Sequence, residues 1–175
     1  MNKLDKDQVR AIKNAIGLDE LSIADKKILI KMIDGINSTD QTITLFVDGA
    51  ADLHSKTAGI GGVIYSNDKE LAFFSEPLFD KTNNEAEYLA LIKGIEVLKE
   101  LKIVNVNIYA DSELVVKQVL GIYRVKNERM KGLHDQVIEK LRLIDEWNLI
   151  HVRREKNIRA DQLSKLGMEK AKSEK

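Results

Sequence analysis

The chain has 175 residues, 43% hydrophobic and 32% charged, a mixture that suits one globular domain with a small appendage. Its 28 Lys+Arg offset 28 Asp+Glu, so no global positive field draws in nucleic acid, and any such binding falls to local patches. Cysteine is absent, no run of about 18 apolar residues occurs, and "MNKLDKDQVR" has no signal-peptide core; this excludes disulfides, thiolate metal sites and a transmembrane helix, and sets the expectation of a cytoplasmic protein that engages no membrane.

Residues 1–40 are expected to form a two-helix extension. Val9, Ile12 and Ile16 recur at helical spacing, and Gly17 stops that helix. Ser22, with Asp25 three residues on, opens a second helix, along which Leu29, Met32, Ile33 and Ile36 share a face. The segment carries seven basic and seven acidic residues and no Tyr, Phe or Trp. Its apolar stripes therefore suit packing or association better than a grip on a charged substrate. "NSTDQT", residues 37–42, reads as a linker.

From residue 42 the period changes from helix to strand. "TITLFVD" alternates and is rich in β-formers; "GIGGVIYS" and "ELAFFSE" flank "NDK" and predict a hairpin. Residues 82–101 predict a long helix with an Asn cap, 104–111 a fourth strand, and 112 onward a short helix. A further helix is expected over 129–147, a fifth strand over 149–154 and a last helix from Asn157. Strands separated by helices must pair in parallel. The expected fold is therefore α/β, a five-stranded mixed sheet of three antiparallel strands then two parallel ones, flanked by helices. This domain is placed at 41–170, with 171–175 as a disordered tail.

Ligands of open α/β sheets gather at the carboxyl ends of strands. Two strands here end in acids, Asp48 after "LFV" and Asp111 after "NIYA", each followed by a small residue, Gly49 or Ser112. Glu87 and Asp161 lie near the starts of two helices, each in apolar company. Taken singly, such acids are ordinary caps, turns or solvated charges. If the four converge, each pair at 4 Å repels by about 4 kcal/mol at an effective dielectric of 20. Divalent cations relieve that repulsion, and an all-oxygen donor set without cysteine or clustered histidine favours Mg²⁺ or Mn²⁺. Two ions about 4 Å apart would polarise a phosphate, activate water and steady the leaving oxygen, which is the chemistry of phosphodiester hydrolysis.

The motifs "FVDGA" (46–50), "TNNEAEYLAL" (82–91), "YADSELVVKQV" (109–119) and "NIRADQLSK" (157–165) occur in this order with fitting spacers. Together they resemble the type 1 ribonuclease H family, over residues 42 to about 168. The resemblance implies an RNase H-like fold and an endonuclease that cuts the RNA strand of RNA·DNA hybrids, leaving 5′-phosphate and 3′-hydroxyl ends. It implies that Asp48, Glu87, Asp111 and Asp161 bind two Mg²⁺ or Mn²⁺ ions when substrate is present. It identifies the motif glutamate as Glu87, not Glu85. It also implies that Asn83 and Asn84 reach the minor groove, that Gly49 and Ala50 approach the RNA strand, and that Thr82 contacts a DNA phosphate. Ser112, Arg154 and Asn157 complete the expected substrate contacts, double-stranded RNA is a further candidate substrate, and a monomer is expected.

The chain departs from the family pattern in the loop before the last helix, where many members carry a histidine. Here it reads "RREKN", so Arg153, Arg154 or Glu155 must substitute or the step is slower; His54, His134 and His151 fit no such role. The long basic protrusion of some members is also missing, although residues 117–159 carry 11 Lys+Arg against 6 Asp+Glu. Trp147 is expected in the core or at a hinge. The competing readings are another nuclease on the same fold, a non-catalytic module binding hybrid or double-stranded RNA, and a structural domain attached to a polymerase. The first lacks a reason for the "TNNxAE" frame, the second a missing carboxylate, and the third a polymerase sequence in this chain.

Overall fold

The computed structural model describes residues 6–16, 21, 22, 25, 26, 28, 29 and 42–174. The chain divides into two compact units, Met1–Thr42 and Ile43–Lys175. In the first, helix α1 spans Lys6–Ile16. Asp25, Lys26, Ile28 and Leu29 are helical, and Ser22 Oγ accepts from the Asp25 amide at 3.1 Å, capping at the expected place. Gly17, residues 30–41 and with them the rest of the expected second helix lie outside the described residues.

The second unit runs β1 (Ile43–Asp52), β2 (Thr57–Ser66), β3 (Lys69–Phe79), α2 (Asn83–Glu100), β4 (Asn105–Ala110), α3 (Glu113–Val119), α4 (Glu128–Leu141), β5 (Glu146–His151), a 3₁₀ turn (Arg154–Lys156) and α5 (Ile158–Ser173). The sheet order is β3-β2-β1-β4-β5. β1 pairs antiparallel with β2, and β2 with β3; β1–β4 and β4–β5 are parallel, as the element order predicts. Asn67 and Asp68 both take positive φ, which matches the twist a two-residue hairpin turn requires. No helix of the described residues is long and apolar enough to cross a membrane.

Strand alternation sends Leu45 and Val47 to one face, under α2. Gly94 lets that helix approach closely, since a Cβ there would sit 2.8 Å from Leu45 Cδ2. The core on this face includes Leu45, Val47, Ile64, Tyr88, Leu91, Leu98, Val106, Ile108, Val137 and Leu141, all essentially inaccessible to solvent. On the other face α5 lies on β2 almost backbone to backbone. A Cβ at Gly61 would come 2.2 Å from the Ser164 nitrogen, so only glycine fits.

This packing creates the split that matters for function. The parallel register of β1 and β4 ends at the Val47–Ala110 pair. The next residues are Asp48, which stays paired with Gly61 of β2, and Asp111, where β4 has stopped. The order of strands reverses in direction across β1, so the opening lies at a switch point of the sheet.

Three expected boundaries differ. α4 ends at Leu141, not near 147, and β5 begins at Glu146, not 149. The chain closes the helix with short i→i+3 bonds to Leu143 and Ile144, and the Glu146 amide then joins the sheet through Val104 O at 2.9 Å. Trp147 is thus a half-buried strand residue opposite Val106 rather than a hinge. At the other end, α5 continues to Ser173 with Ala171 fully buried, so residues 171–173 are helix and not a disordered tail.

Candidate active site

Three of the four expected acids meet at the β1–β4 split. Asp48, Glu87 and Asp111 each offer a carboxylate oxygen, and these oxygens all lie within 4.8 Å of one another. Each arrives from a different element: Asp48 from within β1, Asp111 from the end of β4, and Glu87 from the first turns of α2. Glu87 reaches the strand because Gly49 has no side chain. A Cβ there would fall 2.3 Å from the Ala86 carbon and the Glu87 nitrogen. Gly49 is therefore small to seat α2, and it also lines the cleft described below.

The cluster is electrostatically expensive as it stands. Glu87 is pushed up to about 9, first by burial and then by the charges of Asp48 and Asp111. Its Oε2 is buried and has no hydrogen-bond partner. Asp48, only 5% exposed, is raised to about 7, again chiefly by burial, with Asp111 adding to it. The Ser164 hydroxyl of α5 donates to Asp48 Oδ2 and acts in the opposite direction.

Asp161 takes a different position. It sits in the first turn of α5, is 9% exposed, and stands outside the three-acid group. Lys165 Nζ lies 2.6 Å from its Oδ2, and Arg154 donates through Nε at 2.9 Å and through Nη2 to its Oδ1. Burial raises the Asp161 carboxyl, and these two cations more than reverse that, leaving it below its ordinary value. Asp48, Glu87 and Asp111 line an open cleft of about 440 Å³, together with Gly49, Ala50, Ala51, Asn83, Arg154, Lys165 and Met168. Of the three loop residues that stand where the family histidine is missing, Arg154 is the one that lines this cleft.

The remaining expected contacts sort clearly. Asn83 lies at the cleft, where its Oδ1 accepts from the Ala51 amide at 2.6 Å, and Asn84 is exposed beside it. Neither is the helix cap. Thr82 caps α2: its Oγ1 accepts from the Glu85 amide at 3.3 Å and donates to Glu85 Oε2 at 2.8 Å, while the Thr82 amide donates to the same carboxylate at 2.9 Å. The Thr82 hydroxyl is thus already engaged within the helix end, which argues against its role as a phosphate contact. Ser112 likewise caps α3, accepting from the Val115 amide at 3.4 Å. Asn157 is 1% exposed, and its Nδ2 donates to Val47 O at 2.9 Å, so it pins β1 beside Asp48. Ser164 and Lys165 escaped the sequence reading. Lys165 is visible as the i+4 partner of Asp161, but nothing local to "LSK" shows that Ser164 meets an acid 116 residues away.

Residues 46–167 match the family described as Reverse transcriptase-like. The Ribonuclease HI of Halobacterium salinarum is 31% identical over 127 residues, which cover 72% of this chain and 64% of that protein, so the chain spans less than two thirds of this relative's length. The Ribonuclease H of Desulforamulus reducens is 32% identical, with 73% of this chain and 88% of the relative covered. Among solved structures, LC11-RNase H1, isolated from compost and captured in complex with an RNA/DNA hybrid, superposes with a TM-score of 0.70 at 34% identity, covering 74% of this chain and 99% of that one. The four motifs, the strand order and these matches agree: the chain belongs to the type 1 ribonuclease H family.

Proposed function

We propose that this chain is an endoribonuclease that hydrolyses the RNA strand of RNA·DNA hybrids by two-metal-ion catalysis and leaves 5′-phosphate and 3′-hydroxyl ends. The observation that carries the reading is the meeting of Asp48, Glu87 and Asp111 at the split between β1 and β4. The residues fit a divalent cation. The donors are all carboxylate oxygens, the set that suits Mg²⁺ or Mn²⁺, and one of them, Glu87 Oε2, is buried with nothing to bond. When bound, two such ions would polarise the scissile phosphate, lower the pKa of the attacking water and balance charge on the departing oxygen.

The protein's own contribution is placement. β1, β4 and α2 hold three carboxylates on separate rigid elements, so the donor set is formed before substrate arrives. Asp161 supplies a fourth carboxylate from α5, kept ionised by Arg154 and Lys165. Those same two cations border the cleft, where Arg154 can turn a guanidinium face toward a backbone phosphate. Asn83 presents an amide at the cleft and Asn84 an exposed one next to it in the chain, and an amide both donates and accepts, as base edges and a 2′-hydroxyl require. In the reaction the water oxygen bonds to phosphorus, the bond to the 3′ oxygen breaks, and that oxygen leaves with a proton. The relative solved on an RNA/DNA hybrid supports the choice of substrate.

The test is cleavage of matched RNA·DNA hybrid, double-stranded RNA and double-stranded DNA in Mg²⁺, Mn²⁺ or chelator, with wild type and Asp48→Asn. The expected result is cation-dependent cutting of the hybrid's RNA strand, reduced about 100-fold or more in Asp48→Asn with hybrid binding largely retained. Binding of hybrid without any cleavage would favour a non-catalytic module, and cutting of double-stranded DNA another nuclease on this fold.

A further inference from the structure

The three acids repel one another, and two helices start next to the cluster. Glu87 belongs to α2, and Asp111 directly precedes Ser112, the cap of α3. The residue after Glu87 is Tyr88, which is completely buried, and its hydroxyl donates to Gln118 Oε1 of α3 at 2.9 Å. Gln118 is itself 7% exposed. The pair is therefore a buried hydrogen bond with one end on α2, which carries Glu87, and the other on α3, which begins directly after Asp111 and its neighbour Ser112.

We propose that Tyr88 and Gln118 are positioning residues, a buried strut that fixes the separation of Glu87 from Asp111 and so sets the affinity of the site for a divalent cation. This rests on the cation-binding reading of the site given above. The physical argument is one of alternatives. A buried tyrosine hydroxyl needs a partner, and in this core the partner is Gln118, so any splaying of α2 from α3 would leave both polar groups unpaired in apolar surroundings. The bond thus ties α2, with Glu87, to the helix that follows Asp111. β1 needs no such strut, because Asp48 is held by strand pairing and by Ser164.

The experiment uses the full chain. Mn²⁺ affinity is measured by titration calorimetry for wild type, Tyr88→Phe, Gln118→Met and the double variant, alongside thermal unfolding in chelator. Tyr88→Phe removes one oxygen and keeps the ring. Val137→Ala, a cavity in the same core on α4, which carries neither end of the strut, serves as a control for general loss of stability. The expected result is that Tyr88→Phe weakens Mn²⁺ binding by about tenfold, the scale seen when groups supporting a metal ligand are removed. Gln118→Met should do the same, and the double variant should lose no more than either alone. Val137→Ala should lower the unfolding temperature and leave Mn²⁺ affinity within about twofold of wild type. Unchanged affinity in a folded Tyr88→Phe overturns the proposal, as do additive losses in the double variant or an equal loss in Val137→Ala. Wild type that binds no Mn²⁺ would remove the underlying cation site as well, a distinct outcome.

Discussion

Glu87 shows what the cluster asks of single residues. Its ordinary carboxyl pKa is about 4.5, and in the folded, cation-free protein it is pushed up to about 9; Asp48 moves from 3.8 to about 7. For an acid raised in this way, the folded state holds a proton that the unfolded state has released. Stability is therefore undiminished below about pH 4 and falls as pH rises from there toward 9. A divalent cation favours the ionised forms and reverses the trend. Two results follow for thermal melts. In chelator the melting temperature should fall steadily between pH 5 and pH 9, and added Mg²⁺ should raise it more at pH 8 than at pH 6. Glu87→Gln should flatten the chelator profile and abolish most of the Mg²⁺ effect. A cation effect independent of pH, or one that survives in Glu87→Gln, would contradict this assignment of the charge burden.

At the scale of elements, the helix ends and glycines decide how the acids are held, and they show where sequence was a good guide. The strands, their order and the parallel pairing after the hairpin were legible, because alternation and βαβ spacing reflect the backbone directly. The start of α2 was not. "TNN" offers three residues able to cap, and only the folded geometry shows that Thr82 takes the role with Glu85, leaving Asn83 for the Ala51 amide. Thr82→Ala should thus cost about 1 kcal/mol in denaturant unfolding, the usual value for a lost cap, with little change in the salt dependence of hybrid binding. A marked drop in that salt dependence would restore the phosphate-contact role. Gly61 behaves oppositely. Its smallness looks unremarkable in "GIGGV", yet a Cβ there meets the Ser164 backbone of the helix carrying Asp161. Gly61→Ala should destabilise by about 1–3 kcal/mol and reduce cleavage in the surviving folded protein; full activity at unchanged stability would mean that α5 is not packed as described.

Across the whole molecule, the acid cluster and the cleft belong to the unit Ile43–Lys175. The four motifs all fall within that stretch, and so does every residue that lines the cleft. Among the described residues, its core is built around β1, α2 and β4 from side chains between Ile43 and Leu149. We therefore expect a chain starting at Thr42 to unfold cooperatively and to retain hybrid cleavage; loss of folding on removing residues 1–41 would show that the boundary is misplaced. What sequence could not convey at this scale was the meeting of distant side chains. The approach of Ser164 to Asp48, the Val47–Asn157 pin and the cations around Asp161 each depend on how α5 crosses the sheet. Asn157 is held by Val47, a partner that the local sequence does not show, and Asp161 by Arg154 and Lys165.

The most direct measurement is anomalous diffraction from crystals equilibrated with Mn²⁺. The account predicts a peak bounded by Asp48, Glu87 and Asp111, roughly 2.0–2.2 Å from their oxygens. Saturating Mn²⁺ with no peak there, or with the ion held elsewhere, would contradict it.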